Sequence, residues 1–268
     1  MIEDKDEPAG YSAFNDAVAI LTLSAPLNNR FGVAVIDDLD NAIDELTAKE
    51  ARAVLLCADG PDFSHGGDVL PWPNLEGREI KSIFERYMDG FNRLERLPIP
   101  VIAAVQGLCN GGGFELVLRA DILFAGESAR FSHSEQTVAF ITVLAGIYRN
   151  AERAGRLLAY QWALTSEQIP VSVAAQHGLV NYIVPDESLR KEALSFAKRI
   201  AKGATLAHGA HKALLRAWSV GGIAAADDVM FDLTTHLLES KDFKRGKVNA
   251  AEALATGKPR PILDFDGR

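Results

Sequence analysis

The stretch Pro100-Val101-Ile102-Ala103-Ala104-Val105-Gln106-Gly107-Leu108-Cys109-Asn110-Gly111-Gly112-Gly113-Phe114-Glu115-Leu116-Val117-Leu118-Arg119 decides how this chain folds. Its first six residues form an apolar run of strand length, and its last six read as the opening of a helix. The glycines between them allow a sharp strand-to-helix turn and leave the first helical N–H groups without partners. Such groups can hold a negative oxygen. Glu115 lies just inside the helix, and a second carboxylate, Glu135, follows the next strand-and-turn region. A single carboxylate there is also what the helix dipole favours by itself. Anion-holding N–H groups beside two carboxylates suit proton transfer next to a carbonyl. The G-x-G-x-x-G spacing of a dinucleotide site is missing.

Outward from this stretch, strands are predicted at 18–23, 52–57 and 121–125. Ile36, Leu39, Ile43 and Leu46 recur at helical spacing between the first two. A turn-rich loop covers 59–68, and a helix with Ile80, Ile83, Phe84, Tyr87, Phe91, Leu94 and Leu97 on its inner face stops before Pro98 and Pro100. Strand, turn and helix alternate along roughly 15–185, so the fold class is α/β. Phe63-Ser64-His65 recurs as Phe131-Ser132-His133, a weak internal echo. Beyond Pro185 strand signals stop, and 189–201, 206–218, 223–238 and 242–255 read as helices. Residues 1–185 are therefore expected to carry the core and active site, and 186–268 a helical region that packs against a neighbouring subunit. Arg260-Pro261-Ile262 predicts a short extended tail.

The 268 residues suit one substantial domain, and a 48% hydrophobic content supplies its core. A net charge of −8 argues against a general nucleic-acid binder. Cys57 and Cys109 lie in or beside apolar runs without metal-like spacing and read as buried free thiols; no metal site is expected. The acidic, polar start resembles no targeting peptide, and no apolar stretch is long enough to span a membrane, so a cytoplasmic location is expected.

Five segments together resemble the enoyl-CoA hydratase/isomerase (crotonase) superfamily. Pro26-Leu27-Asn28-Asn29-Arg30-Phe31 resembles its early proline-to-asparagine loop, and Phe63-Ser64-His65-Gly66-Gly67-Asp68 its first oxyanion-hole loop. Residues 102–115 are similar to its glycine-triplet signature, 120–135 to its second catalytic segment, and 174–180 to its A-x-x-x-G-L-V turn. The resemblance implies a spiral of strand-strand-helix units with C-terminal helices that build a homotrimer, often paired as a hexamer. It implies an enoyl-CoA hydro-lyase with no permanently bound cofactor, coenzyme A being part of the acyl-CoA substrate. By position it assigns the backbone N–H of His65 and Gly112 to the oxyanion hole, and Glu115 and Glu135, 135 − 115 = 20 apart, to water and proton. The His65 side chain could narrow the acyl pocket, act as a third catalytic group, or face solvent. Asn29, Arg30, Gly111 and the main chain at Phe63 and Ser64 are the implied CoA contacts. Arg30 and the Lys241-Lys244-Arg245-Lys247 cluster are candidates for the phosphates, the cluster reading equally as a solvated basic face. Asp68 reads as a loop brace.

After Glu135 the superfamily usually carries several glycines, whereas this chain has Ala139-Phe140-Ile141-Thr142-Val143-Leu144-Ala145-Gly146. Larger residues there, with Trp72 between two prolines, are expected to reshape the acyl pocket. An isomerase, a C–C hydrolase acting on cyclic β-diketones through His65 and His133, and a non-catalytic oligomeric binding protein remain alternatives.

Overall fold

The apolar runs become strands buried on both faces, and the chain climbs through them in repeated units. The computed structural model describes residues 11–268, with side chains from Phe14 onward; the polar start lies outside them. β1 (Tyr11–Asn15) and β2 (Val18–Leu23) form an antiparallel hairpin. A single turn, α1 (Pro26–Asn29), and helix α2 (Val33–Ala48) lead to β3 (Ala53–Ala58), parallel to β2. Helix α3 (Gly77–Glu95) leads to β4 (Val101–Val105), the short strand β5 (Leu108–Asn110) and α4 (Gly112–Val117). The step repeats with β6 (Ile122–Gly126), β7 (Arg130–Ser132), α5 (Gly146–Ala154) and α6 (Arg156–Thr165). It closes with β8 (Ile169–Pro170), α7 (Val171–Gln176) and β9 (Tyr182–Val184).

Two sheets result. The larger has the order β1-β2-β3-β4-β6-β9, parallel after the first hairpin, and the smaller the order β5-β7-β8. Isolated parallel bridges, Phe31↔Gly67 and Ser64↔Cys109, give the earlier units their own small-sheet rungs. The Phe-Ser-His echo has its origin here, since both copies follow a strand of the large sheet and supply a rung of the small one.

Strand alternation divides the core. Ala19, Leu21, Val54, Leu56, Val101, Ala103 and Val105 face the interior of the spiral, where Ile36, Phe91, Leu94 and Phe114 pack. Val18, Ile20, Leu55, Cys57, Ile102 and Ala104 face the other way, against α8 (Leu189–Ala201) through Leu189, Ala193 and Ala197. Burial on both sides is why these strands read as continuous hydrophobic runs. The first helix of the expected C-terminal region thus packs directly on the large sheet.

Beyond it, α9 (Thr205–Glu239) is interrupted at Gly221 and Gly222, where the backbone leaves helical geometry, so the two helices expected there are distinct segments. α10 (Lys241–Thr256) follows. The tail folds back: Asp242 accepts the N–H groups of Asp266, Gly267 and Arg268, and Arg52 donates to Phe265 O and Gly203 O. Leu215, Val220, Ile223 and Phe231 of α9 are exposed in the single chain.

Candidate active site

Two loops meet at the edge of the small sheet. The first carries Phe63 to Asp68. Phe63 and Ser64 are fully buried, with their N–H groups donating to Gln106 O and Leu108 O. Ser64 Oγ donates to Asn29 O at 2.6 Å and accepts from the Gly66 N–H at 3.1 Å. Gly66 has φ +86°, and a Cβ there would sit 3.0 Å from Asn110 O, so the loops touch only because this residue lacks a side chain.

The His65 N–H does not point into the site. It donates to Asn28 O at 3.0 Å and is spent on the loop. This corrects the expectation that His65 is an oxyanion donor. Phe31 N–H reaches Gly66 O and Asp68 N–H reaches Phe31 O, which leaves the intervening Gly67 N–H unpaired. The His65 ring lies 2.9 Å from Asp62 Oδ2. Asp62 is held below the usual carboxylate range despite its desolvation, because Leu108 N–H and His65 both bond it.

Asn29 and Arg30, expected at the CoA, brace this loop. Asn28 and Asn29 adopt left-handed backbone, which Asn tolerates better than most residues. The Asn29 side chain accepts from Ala25 N–H and donates to Asp59 O and Asp62 O, and only 5% of the residue is exposed. Arg30 donates to His65 O and Gly67 O. Both N–H donors of the Asn29 amide are engaged, and Arg30 Nη1 faces two carbonyls. Of the basic cluster, Arg245 is engaged with Asp266 and Asp264 O. Asp68 Oδ1 accepts from Leu70 N–H, the local brace the sequence implied.

The second loop is the glycine triplet. Gly111 N–H donates to Ser132 O, and α4 begins at Gly112 with its first-turn N–H groups unpaired. Asn110 ties the neighbouring segments together, donating to Ser134 Oγ and accepting from Ser132 Oγ.

Glu115 lies on the inner face of α4 with 2% exposure. Its Oε1 accepts the Gly146 N–H at 2.8 Å. Burial and the neighbouring Glu135 push this carboxyl up to about 8, against the opposing pull of the Gly146 and Leu144 N–H groups. Glu135, at the start of a 3-10 turn, is raised to about 7 by burial. Its Oε1 is the nearest atom to a Cβ built on Gly111, at 3.4 Å, so both carboxyls border the glycine turn. Both shifts favour protonated carboxyls near neutrality.

The segment after Glu135 keeps its course without the missing glycines. Ala139 and Ala145 take left-handed backbone at φ 55° and 78°. The buried Arg119 beneath it donates to Leu144 O at 2.7 Å, Asn92 Oδ1 at 2.7 Å and Glu95 Oε2 at 2.9 Å. Trp72, Phe84 and Phe140 form a ring cluster, and Trp72 is also the neighbour of Gly67.

Sequence reasoning missed three contributors and saw Gly146 only as the small residue kept after Glu135. Gly67 was overlooked because position alone favoured the histidine. Arg119, Gly146 and Asn150 act through contacts across 25, 31 and 17 residues, which no local spacing reveals.

The description "Enoyl-CoA hydratase/isomerase" belongs to a family model that matches residues 13–256. The chain belongs to the enoyl-CoA hydratase/isomerase family. A mitochondrial enoyl-CoA hydratase of Pongo abelii is 32% identical over 194 residues, which are 72% of this chain and 66% of that relative. The match thus spans just under two-thirds of that relative's length. A trans-2-decenoyl-[acyl-carrier-protein] isomerase of Streptococcus mutans is 26% identical over 87% of this chain and 90% of its own. Among solved structures, an enoyl-CoA hydratase of Mycobacterium smegmatis superposes with TM-score 0.86 at 26% identity, covering 97% of this chain and all of the other. The crotonase fold expected from the sequence is present. Among the described residues no group of metal-ligating side chains converges, and no helix is long and apolar enough to cross a membrane.

Proposed function

We propose that this enzyme adds water across the α,β double bond of an enoyl-CoA thioester. The observation that carries the reading is the pair of carboxyls, the buried Glu115 and the half-buried Glu135, beside the unpaired N–H groups of Gly67 and Gly112. The thioester oxygen accepts from those two N–H groups, which stabilise the negative charge that gathers there as the α carbon becomes enolate-like. One carboxylate takes a proton from water, whose oxygen bonds the β carbon. The other carboxyl delivers its proton to the α carbon, so the pair ends with the single proton it began with.

Coenzyme A enters as part of the substrate, and no resident cofactor is invoked. The ring cluster of Trp72, Phe84 and Phe140 supports a hydrophobic wall for the acyl group. The exposed apolar residues of α9 support a homotrimer or a hexamer. A cytoplasmic location completes the reading.

Double-bond isomerisation is the second reading, because the same two carboxyls can move a proton between carbons without water, and one relative bears an isomerase name. Turnover of a panel of enoyl-CoA thioesters, followed by mass spectrometry, separates the two. Gain of one water by the wild type, lost in Glu115→Gln and in Glu135→Gln, supports hydration; a product of unchanged mass rejects it.

A further inference from the structure

His133 has no place in the mechanism above, yet it is among the most buried polar residues, 1% exposed. It follows β7, stacks near Phe114 with ring centroids 4.7 Å apart, and borders Gly146. Asn150, fully buried on α5, places its Nδ2 2.7 Å from His133 Nε2. An amide N–H₂ donates only, so Nε2 is the acceptor and the ring proton of a neutral imidazole resides on Nδ1. That Nδ1 lies 3.7 Å from Glu135 Oε2. Neither atom has a hydrogen-bond partner, although both are buried. Two orphaned polar atoms facing each other inside a protein are costly unless they pair. Their separation is shorter than the roughly 5.5 Å an in-line bridging water needs, and a few tenths of an ångström of movement closes it.

We propose that His133, locked in its Nδ1–H tautomer by Asn150, is a positioning residue that donates to Glu135 Oε2 and aims the carboxyl's other oxygen at the substrate. The inference rests on Glu135 handling a proton, as in the proposed function. The titratable group facing the ring is Glu135 on its own segment, Glu115 on α4 borders the same Gly146, and α5 offers the uncharged Asn150. Burial draws His133 down to about 4, so the donor stays neutral through the working range and adds no charge beside the carboxyl pair.

Two substitutions separate orientation from simple packing. His133→Asn puts an amide where Nδ1 was and keeps a donor toward Glu135, whereas His133→Gln keeps reach to Asn150 and removes that donor. His133→Gln is expected to lower kcat roughly ten- to hundredfold, the worth of one hydrogen bond to a charged group, with KM changed less than about twofold. His133→Asn recovers most of the rate. Equal rates in His133→Gln and wild type overturn the proposal, as do equal losses in both variants accompanied by equal falls in Tm. An independent readout is ¹⁵N NMR of the labelled histidine rings between pH 6 and 8. A neutral Nδ1–H ring whose Nδ1 signal moves in Glu135→Gln is the expected result. An Nε2–H tautomer, or a ring that titrates in that window, overturns the proposal even if the wild type hydrates thioesters. If the wild type turns over no thioester but the NMR result stands, only the functional reading fails.

Discussion

Gly146 N–H and Glu115 Oε1 lie 2.8 Å apart, so the carboxyl from α4 is fixed by the first residue of α5. The contact leaves no room for a side chain. A Cβ on Gly146 would stand 2.6 Å from His133 Cε1 and 2.9 Å from Glu115 Cγ. Gly146→Ala is therefore predicted to displace Glu115 and lower kcat on the order of a hundredfold, while overpacking costs about 1–3 kcal/mol of stability. Steady-state kinetics beside thermal unfolding checks both; an unchanged kcat would remove Gly146 from the site.

The carboxyl pair makes stability depend on pH. A carboxyl raised in the folded state binds more protons there than in the unfolded chain, so stability falls as pH rises from its unfolded value towards its folded one. For Glu115 and Glu135 that window runs from near 4.5 up to about 8 and about 7. His133, lowered to about 4, acts in the opposite sense below its unfolded value of 6.5. Between pH 6.5 and 8 the carboxyls act alone. Glu115→Gln is predicted to raise Tm, and by more at pH 8 than at pH 6.5. A Tm difference that shrinks over that interval would contradict a raised carboxyl.

The strand-helix order and the two glutamates were legible because apolar periodicity and a glycine turn are local features. The interrupted α9 was legible for the same reason, with Gly221 and Gly222 marking the break. What stayed hidden was how N–H groups are spent. Nothing in Phe63-Ser64-His65-Gly66-Gly67 says that His65 donates to Asn28 O, because the acceptor is 37 residues away in sequence and is presented by left-handed backbone at Asn28. The same holds for Asn29, whose amide spans three backbone groups of its own fold.

The left-handed alanines offer a stabilising change. Ala139 is exposed at φ 55°, where a Cβ costs about 1–2 kcal/mol, more than the added chain entropy of glycine. Ala139→Gly is predicted to gain about 0.5–1 kcal/mol in denaturant unfolding. Ala145→Gly should gain less, since its buried methyl contributes roughly 0.8 kcal/mol. A larger gain at position 145 than at 139 would reverse this ranking.

Arg119 is the buried support of the segment that holds Glu115. Arg119→Met leaves Leu144 O and Asn92 without their donor and is predicted to cost about 3–5 kcal/mol, with loss of activity. Arg149→Met, which leaves the Arg119–Glu95 pair in place, should cost clearly less. Equal losses in denaturant unfolding would show that Glu95, rather than Leu144 O, is the partner that matters.

The most direct test of the proposed chemistry is the reaction of an enoyl-CoA thioester in ¹⁸O-labelled water, read by mass spectrometry. The two-carboxyl mechanism predicts a product heavier by one labelled water, formed by the wild type and lost in Glu115→Gln and Glu135→Gln. A product of unchanged mass, or label incorporation that survives both substitutions, would contradict it.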